Sequence, residues 1–466
     1  MPYPPCTVTA YWLKYQDIAR CLRRVTQPPF IAGPLAKINP ASKVNTNHIN
    51  MRTTLLFMVL IFFCSCGSKR SKDSSNSDSV IRIDLLTEPK STITKLSEIA
   101  ANVEYIPLQT TKNSLLGEFA VKIVSVDNKI YIKNSGLGGD IMCFDLGGKF
   151  LFKLQNLGRG PEEYTSITDF DVSSDNKNLT VMSDVDRKLI VYSVSDIGYT
   201  FKSSLSLKEP IPLTISIVPE TDYTFLAIEP WNITAPYLSL LISSNGDTIH
   251  YKPNCYRNRQ DRTGAFMRTA LLYSSEKSLC FKECFSDTVF YVDIKNKSFK
   301  PRIIFDTHGT SVTPEMWGHP ERVGNLVTEI FGIFETPRYV FYNYWENHIK
   351  NCHLFDKIAK TKHNLDIGTF NETIANIPRD VDKIKLKDDL CGGPDFNQDI
   401  RYLNTNCSNG KLFSLVDAIT LKNYISSEAF KNAKVRDPKK KNELKNLADS
   451  INETDNPVLI VVIPKN

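Results

Sequence analysis

The stretch from Val121 to Asp171 constrains the fold more than any other part of the chain. It reads VKIVSVDNKIYIKNSGLGGDIMCFDLGGKFLFKLQNLGRGPEEYTSITDFD. Lys122 to Val126 is apolar and β-branched, Lys129 to Lys133 alternates apolar with polar residues, and Asp127-Asn128 separates the two. Ile141 to Phe144 and Phe150 to Leu154 are two further runs, divided by Gly147-Gly148. Between the middle runs, Asn134 to Asp140 carries three glycines. Short β-type runs bounded by turn residues are strands, and four in succession form an antiparallel meander. A meander of this length that recurs down a chain is one blade of a β-propeller.

The pattern does recur. A second meander spans Ile167 to Leu207, a third Ile211 to about Lys252, a fourth Phe266 to Phe305 and a fifth Val327 to Leu365. In the third, Asn245-Gly246 is the clearest hairpin signal and predicts a type I′ turn. The sixth is degraded: Asp399 to Asn404, Asn409-Gly410, Lys411 to Val416 and finally Val458 to Ile463. The expected fold is all-β, a six-bladed propeller of four-stranded antiparallel blades over residues 81–466. A seventh blade would have to lie in Asp366 to Leu390, which reads as irregular. Long non-periodic insertions fall at Cys255 to Gly264, Asp306 to Gly324 and Ile367 to Pro394. Ile93 to Ile99 reads as a short helix or an irregular cover.

Residues 421–455 break the β pattern with a short helical insertion. Asp437-Pro438 is an N-cap and first-turn pair, and Leu444, Leu447 and Ile451 form an apolar stripe on a lysine-rich helix. Asn456-Pro457 stops it. The strand that follows would close the ring by pairing with an early strand, removing both sheet edges.

Several segments in and around the first meander resemble the opening of the six-bladed β-propeller lipoproteins of Bacteroides-type bacteria. They are Asn102 to Thr111 (NVEYIPLQTT), Val121 to Ile132, Phe144-Asp145 with Gly148 to Phe150, and Gly158 to Tyr164 (GRGPEEY). The last usually reads G-x-G-P-G-E-Y in that family, and here Glu162 replaces the third glycine. The resemblance is strongest over residues 81–207. It implies a propeller fold and an envelope location, and carries over no catalytic residue.

Residues 1–50 are basic, proline-rich and without periodicity, and read as an over-extended N-terminus ahead of a natural start at Met51. Met51-Arg52 leads into Leu55 to Phe63, nine unbroken apolar residues. That is too short for a span of about 20 residues but suits a signal peptide. Ser65-Cys66 follows as a lipobox, so residues 51–66 are the expected lipoprotein signal and Cys66 the expected lipidated residue. Gly67 to Ser79, continuing to about residue 80, has six serines and mixed charges and should be a flexible tether. The anchor and tether predict a protein held to the outer membrane by lipid.

The net charge of +6 belongs wholly to this leader. Up to Ser65 there are seven Lys or Arg and one acid, which leaves 50 basic and 50 acidic residues of the 57 and 51 in the whole chain. Nucleic acid is thereby lost as an expected partner, since its recognition needs a basic face. The seven cysteines after Cys66 (Cys143, Cys255, Cys280, Cys284, Cys352, Cys391 and Cys407) are odd in number and irregularly spaced. They read as small core hydrophobes rather than a disulfide framework.

Candidate binding residues fall in two places. Arg159, Glu162, Glu163 and Tyr164 sit between the first two meanders, where they would contact a ligand if that loop lies at the channel mouth. The competing account has the glycines shaping an inter-blade turn, with Arg159 and Glu163 in an ion pair. His308, Trp317 and His319 lie in an insertion and could line a pocket. Asp395-x-Asn397-x-Asp399 has the first ligand positions of a calcium loop but lacks its glycine and its terminal glutamate. No cofactor is expected beyond a loosely held calcium or magnesium. No G-x-S-x-G, H-E-x-x-H, Walker or Rossmann pattern occurs. The expected function is therefore a lipid-anchored binding or interaction module for carbohydrate, peptide or an envelope protein. The rival is a lactonase-like propeller hydrolase or lyase with a divalent metal in the channel.

Overall fold

In the computed structural model the first strands of the chain do not form a sheet of their own. They are β1 (Ile81–Asp84), β2 (Thr92–Ile93) and β3 (Ala100–Pro107), with one helical turn, α1 (Leu96–Ile99), before the last. The structure describes residues 80–466 apart from 118–119, 135–138, 229–234, 257–269, 276, 312, 314–326, 347–348, 375–376 and 400–406. The expected signal peptide at residues 51–66, Cys66 and residues 67–79 of the expected tether lie outside the described residues.

Five four-stranded meanders follow in order. They are β4 (Ala120–Val126), β5 (Lys129–Asn134), β6 (Asp140–Asp145) and β7 (Phe150–Leu154); β8 (Asp169–Val172), β9 (Asn178–Ser183), β10 (Lys188–Val194) and β11 (Tyr199–Ser206); and β12 (Thr214–Ile217), β13 (Thr224–Ala227), β14 (Tyr237–Ile242) and β15 (Thr248–Pro253). The fourth is β16 (Leu271–Ser275), β17 (Ser278–Lys282), β18 (Thr288–Asp293) and β19 (Ser298–Asp306), and the fifth β20 (Val327–Glu335), β21 (Tyr339–Glu346), β22 (Ile349–Asp356) and β23 (Thr361–Leu365). Each is hydrogen-bonded in sequence order. The turns explain why: Asp127 and Gly148 take φ of 53° and 82°, the left-handed conformation that tight hairpins require.

Two sheets complete the chain. β24 (Ile367–Ile374), β25 (Ile377–Leu386) and β26 (Phe396–Asp399) form a three-stranded one. The last contains β27 (Cys407–Ser408), β28 (Lys411–Val416) and β29 (Val458–Pro464), with β3 as its outer strand. β29 runs antiparallel to β3, Val462 opposite Val103, so the last strand of the chain closes on one of the first, as expected from the sequence. The described residues therefore hold six sheets built on four strands and a seventh of three. The segment read as irregular, Asp366 to Leu390, is β24 and β25 instead. Its buried positions, Val381, Ile384 and Leu386, do not hold a period of two, which hid it from pattern reading.

First strands of neighbouring sheets adjoin, β4 beside β8, β8 beside β12, β16 beside β20 and β27 beside β4. Cores form between facing sheets. Tyr131, Phe152, Phe170 and Tyr192 fill the space between the first two, and Phe225, Leu241, Leu279 and Phe281 that between the third and fourth. The N-terminal strands bind outer edges. β1 lies parallel to β19, Ile81 opposite Ile303; β2 lies parallel to β23; and Lys95 bridges to Lys387 just after β25. A single stretch from Ile81 to Pro107 thus pairs with β19, β23 and β29 and, through Lys95, with the end of β25.

The helical insertion is α2 (Ala418–Ser426), α3 (Glu428–Lys431) and α4 (Pro438–Ser450). Asp437 caps α4 by accepting from the amides of Lys439 and Lys440. Leu444 and Ala448 pack with Leu421, Phe430 and Val458, and Leu447 and Ile451 pack at their margin. The turn at Ser244 to Asp247 differs from expectation. Gly246 alone has positive φ, 86°, and its amide donates to Ser243 O, so the loop is a type I turn ending in a left-handed glycine, beside a β-bulge. Of the cysteines with described side chains, Cys143, Cys280, Cys284, Cys352 and Cys391 are buried and Cys255 is exposed; all are free thiols.

Candidate functional site: a polar groove between two sheets

The GRGPEEY loop joins β7 to β8 and is held by its own side chains. The Glu163 carboxylate accepts from Gly160 N at 2.8 Å, Lys188 Nζ donates to Gly160 O at 2.8 Å, and Tyr192 Oη donates to Glu162 O at 2.6 Å. Tyr164 is buried, with its hydroxyl 3.3 Å from both Leu154 O and Asn156 N. Arg159 and Glu162 remain exposed. The glycines answer a spatial demand, since a Cβ on Gly158 would sit 1.9 Å from Glu163 Oε2. Glu163 and Tyr164 therefore shape the turn, and Glu163 is engaged with Gly160 rather than Arg159.

His308 follows β19 in a left-handed turn with φ 50°. Its Nε2 lies 3.1 Å from Asp84 Oδ1, where β1 meets β19, so it fastens the N-terminal segment and is not brought together with residues 159–164. Trp317 and His319 lie outside the described residues. Asp395 precedes β26 and is 3.7 Å from Lys385 Nζ, while Asn397 and Asp399 are in the extended strand itself. A calcium loop is not formed there.

Two carboxylates on β8, Asp169 and Asp171, both act on Lys122. Asp169 takes Lys122 Nζ at 2.9 Å and Ile215 N at 2.9 Å; Asp171 takes Ser216 Oγ at 2.7 Å and Ile217 N at 2.8 Å. Burial raises the Asp171 carboxyl against the pull of Lys122 and these donors. Burial also works against the charge on Lys122, but Asp169 and Asp171 raise it overall. These contacts stitch β4, β8 and β12 together. Among the described residues no three His, Cys, Asp or Glu side chains converge to hold a metal.

The structure instead presents a cavity of about 340 Å³ between the sheet of β8–β11 and the sheet of β12–β15. Asn178 and Thr180 on β9 and Leu189 and Val191 on β10 form one wall. Ile217, Thr224 and Ile242 close the other side, and Asp222 and Ser243 to Asn245 rim it from the turns. β11 contributes the consecutive residues Lys202 to Leu205. Its pairing with β10 skips at Lys202, because Val191 opposes Ser203 and Tyr192 opposes Phe201. Lys202 is thus the extra residue of a β-bulge, a device that re-aims a side chain. It crosses to Asn178, donating to Oδ1 at 2.8 Å. Asp222 accepts from Ser244 Oγ at 2.8 Å. The lining holds hydroxyls, amides, one cation and one anion, and no aromatic ring. It suits a ligand recognised through hydrogen bonds. Sequence reading missed it because its residues come from six strands, β9 to β14, and several turns, each ordinary in its own context.

Sequential four-stranded meanders whose first strands adjoin, closed by strands from both ends of the chain, define a β-propeller-like repeat protein. The chain belongs to the family described as Domain of unknown function DUF4934, whose model matches residues 80–463. The sequence matches none of the curated proteins. Among solved structures it is similar to a protein of Bacteroides fragilis NCTC 9343 whose name describes it as exported. That match has 17% identity and a TM-score of 0.55 over 83% of this chain and 100% of the other. It is also similar to a DUF4221 family member from Bacteroides vulgatus ATCC 8482, with 12% identity and a TM-score of 0.36 over 62% and 92% of the two chains. The first likeness is one of fold. No described helix is long and apolar enough to cross a membrane.

Proposed function

We propose that the protein is a six-bladed propeller held to the outer membrane by lipid on Cys66, where it serves as a binding and interaction module for peptide or carbohydrate. In this reading the six four-stranded sheets are the blades and β24–β26 is an insertion between the fifth and the last. The lipobox at Ser65-Cys66 supports the anchor, and the name of the Bacteroides fragilis relative agrees with an exported protein. The observation that carries the binding role is the hydroxyl- and amide-rich groove beside β11. Its lack of aromatic rings favours peptide, since sugars commonly stack on such rings.

Two measurements test this. Metabolic labelling with a fatty acid should mark the natural protein and not a Cys66→Ala variant. For the binding role, the melting temperature of the full chain is followed against peptides and glycans. A ligand at about a hundred times its Kd stabilises by about 2.7 kcal/mol, a shift of a few degrees. A flat response across both classes would contradict the binding reading.

A further inference from the structure

The outer edges of the sheets are not treated alike. β19 and β23 each carry an added parallel strand from the N-terminal segment, and β3, the outer strand of the last sheet, is met at Val103 O by Lys440 Nζ at 3.5 Å and Cys391 Sγ at 3.8 Å. The β7 edge is met by Gln109, whose side-chain carbonyl accepts from Phe150 N at 2.9 Å and whose backbone N–H donates to Gly148 O at 2.8 Å. β15 ends in Pro253 and breaks register twice along its length, features that blunt an edge. β11 has eight residues, is largely exposed, and pairs on its outer side with no described strand.

The ladder shows which groups that edge offers. Leu207 N donates to Arg187 O, so hydrogen-bonded positions alternate through Leu207, Leu205 and Ser203. Ser204 and Ser206 therefore turn their amides and carbonyls away from β10. The same strand forms a wall of the groove, where the Lys202 ammonium donates to the neutral Asn178 amide oxygen.

We propose that an extended acidic peptide adds to β11 as a fifth strand, as β1 adds to β19, with a carboxylate side chain entering the groove to meet Lys202. This rests on the interaction reading above and narrows its ligand to one class. Backbone hydrogen bonds at Ser204 and Ser206 give affinity, and the groove beside them gives side-chain preference. The short hydroxyl side chains of Ser203, Ser204 and Ser206 leave room for a second backbone.

The test uses the full chain and a phage-displayed library of random peptides, with enriched sequences synthesised and their affinities measured. Enriched peptides are expected to carry a recurring Asp or Glu. Lys202→Met should weaken them about tenfold, the effect of one charge-assisted hydrogen bond. Ser204→Pro removes an outward amide without touching the β10 ladder and should weaken binding by a similar factor, with the melting temperature retained. N-methylation of the peptide at alternate residues should abolish binding, and methylation at the intervening ones should not; this scan stands even if the proline variant fails to fold. Peptides indifferent to both the proline and the methyl scan would overturn strand addition while leaving the interaction reading in place. A library that yields no binder would overturn the peptide class, and binding in the glycan panel would then preserve the broader reading.

Discussion

Glu335, wholly buried at the end of β20, is met at 2.7 Å by Arg302 Nη2 from β19 in the neighbouring sheet. Lys357 Nζ approaches the same carboxylate at 2.7 Å, and Tyr273 Oη lies 3.3 Å from its second oxygen. Burial pushes the carboxyl upward, but Arg302 and Lys357 together hold it below its ordinary value. The cluster fixes the fourth sheet against the fifth. Glu335→Gln keeps the shape and removes the negative charge that Arg302 and Lys357 face. Breaking a buried ion pair from one side costs about 3–5 kcal/mol. Urea denaturation of the variant should show that loss.

The GRGPEEY turn makes a graded prediction. A methyl on Gly158 would meet the Glu163 carboxylate at 1.9 Å, whereas on Gly160 the same contact is 3.2 Å. Gly158→Ala should therefore destabilise by about 1–3 kcal/mol, the usual range for overpacking, and Gly160→Ala by less. Glu163→Ala in the Gly158→Ala background should recover part of the loss. Equal melting temperatures for the two alanine variants would refute the packing account.

His353 supplies a pH dependence. It stacks against Tyr344 with ring centroids 5.4 Å apart and against Tyr342 at 5.5 Å. Burial, and then the charge of Lys362, hold its imidazole down at about 4 from an ordinary 6.5. The unfolded chain thus takes up this proton at higher pH than the folded chain does. Its contribution is complete above the unfolded value and is lost as pH falls toward the folded one, about 3 kcal/mol in all. Between pH 7 and pH 5 the natural chain should lose about 2 kcal/mol more than His353→Phe does. Parallel stability curves for the two would contradict this.

Ring closure can be tested at Val462, buried on β29 opposite Val103. Val462→Asp places an unpaired charge between β28 and β3 and should prevent folding, since such burial costs several kcal/mol. An equivalent charge at exposed Ile197 should leave the melting temperature unchanged. Circular dichroism of the two variants separates a structural closing strand from a dispensable tail.

The extent to which this architecture could be read from sequence follows from the range of the forces involved. β4 to β7 fall where the apolar runs end at Asp127, Gly139 and Gly148, because hairpin strands are set by neighbouring residues and turn φ. The cap at Asp437 is equally local. The partners of β1 and β2 are not, since parallel addition to β19 and β23 depends on residues more than two hundred positions away. The groove was hidden for the same reason. Lys202 acquires its direction from a bulge that exists only relative to β10, and Asn178 and Asp222 read as turn-flanking polar residues. Arg159 to Tyr164 stood out as a motif, yet glycine spacing there records a folding requirement.

The central claim is that recognition takes place at β11 and its groove. Hydrogen exchange of the full chain, with and without the tightest peptide from the display library, examines it directly. The account predicts that the amides of Ser204 and Ser206 exchange freely in the unliganded protein and become protected on binding, together with the rim at Ser243 to Asn245. Protection confined to the 155–165 loop or to the β4–β8–β12 wall, with β11 unchanged, would contradict it.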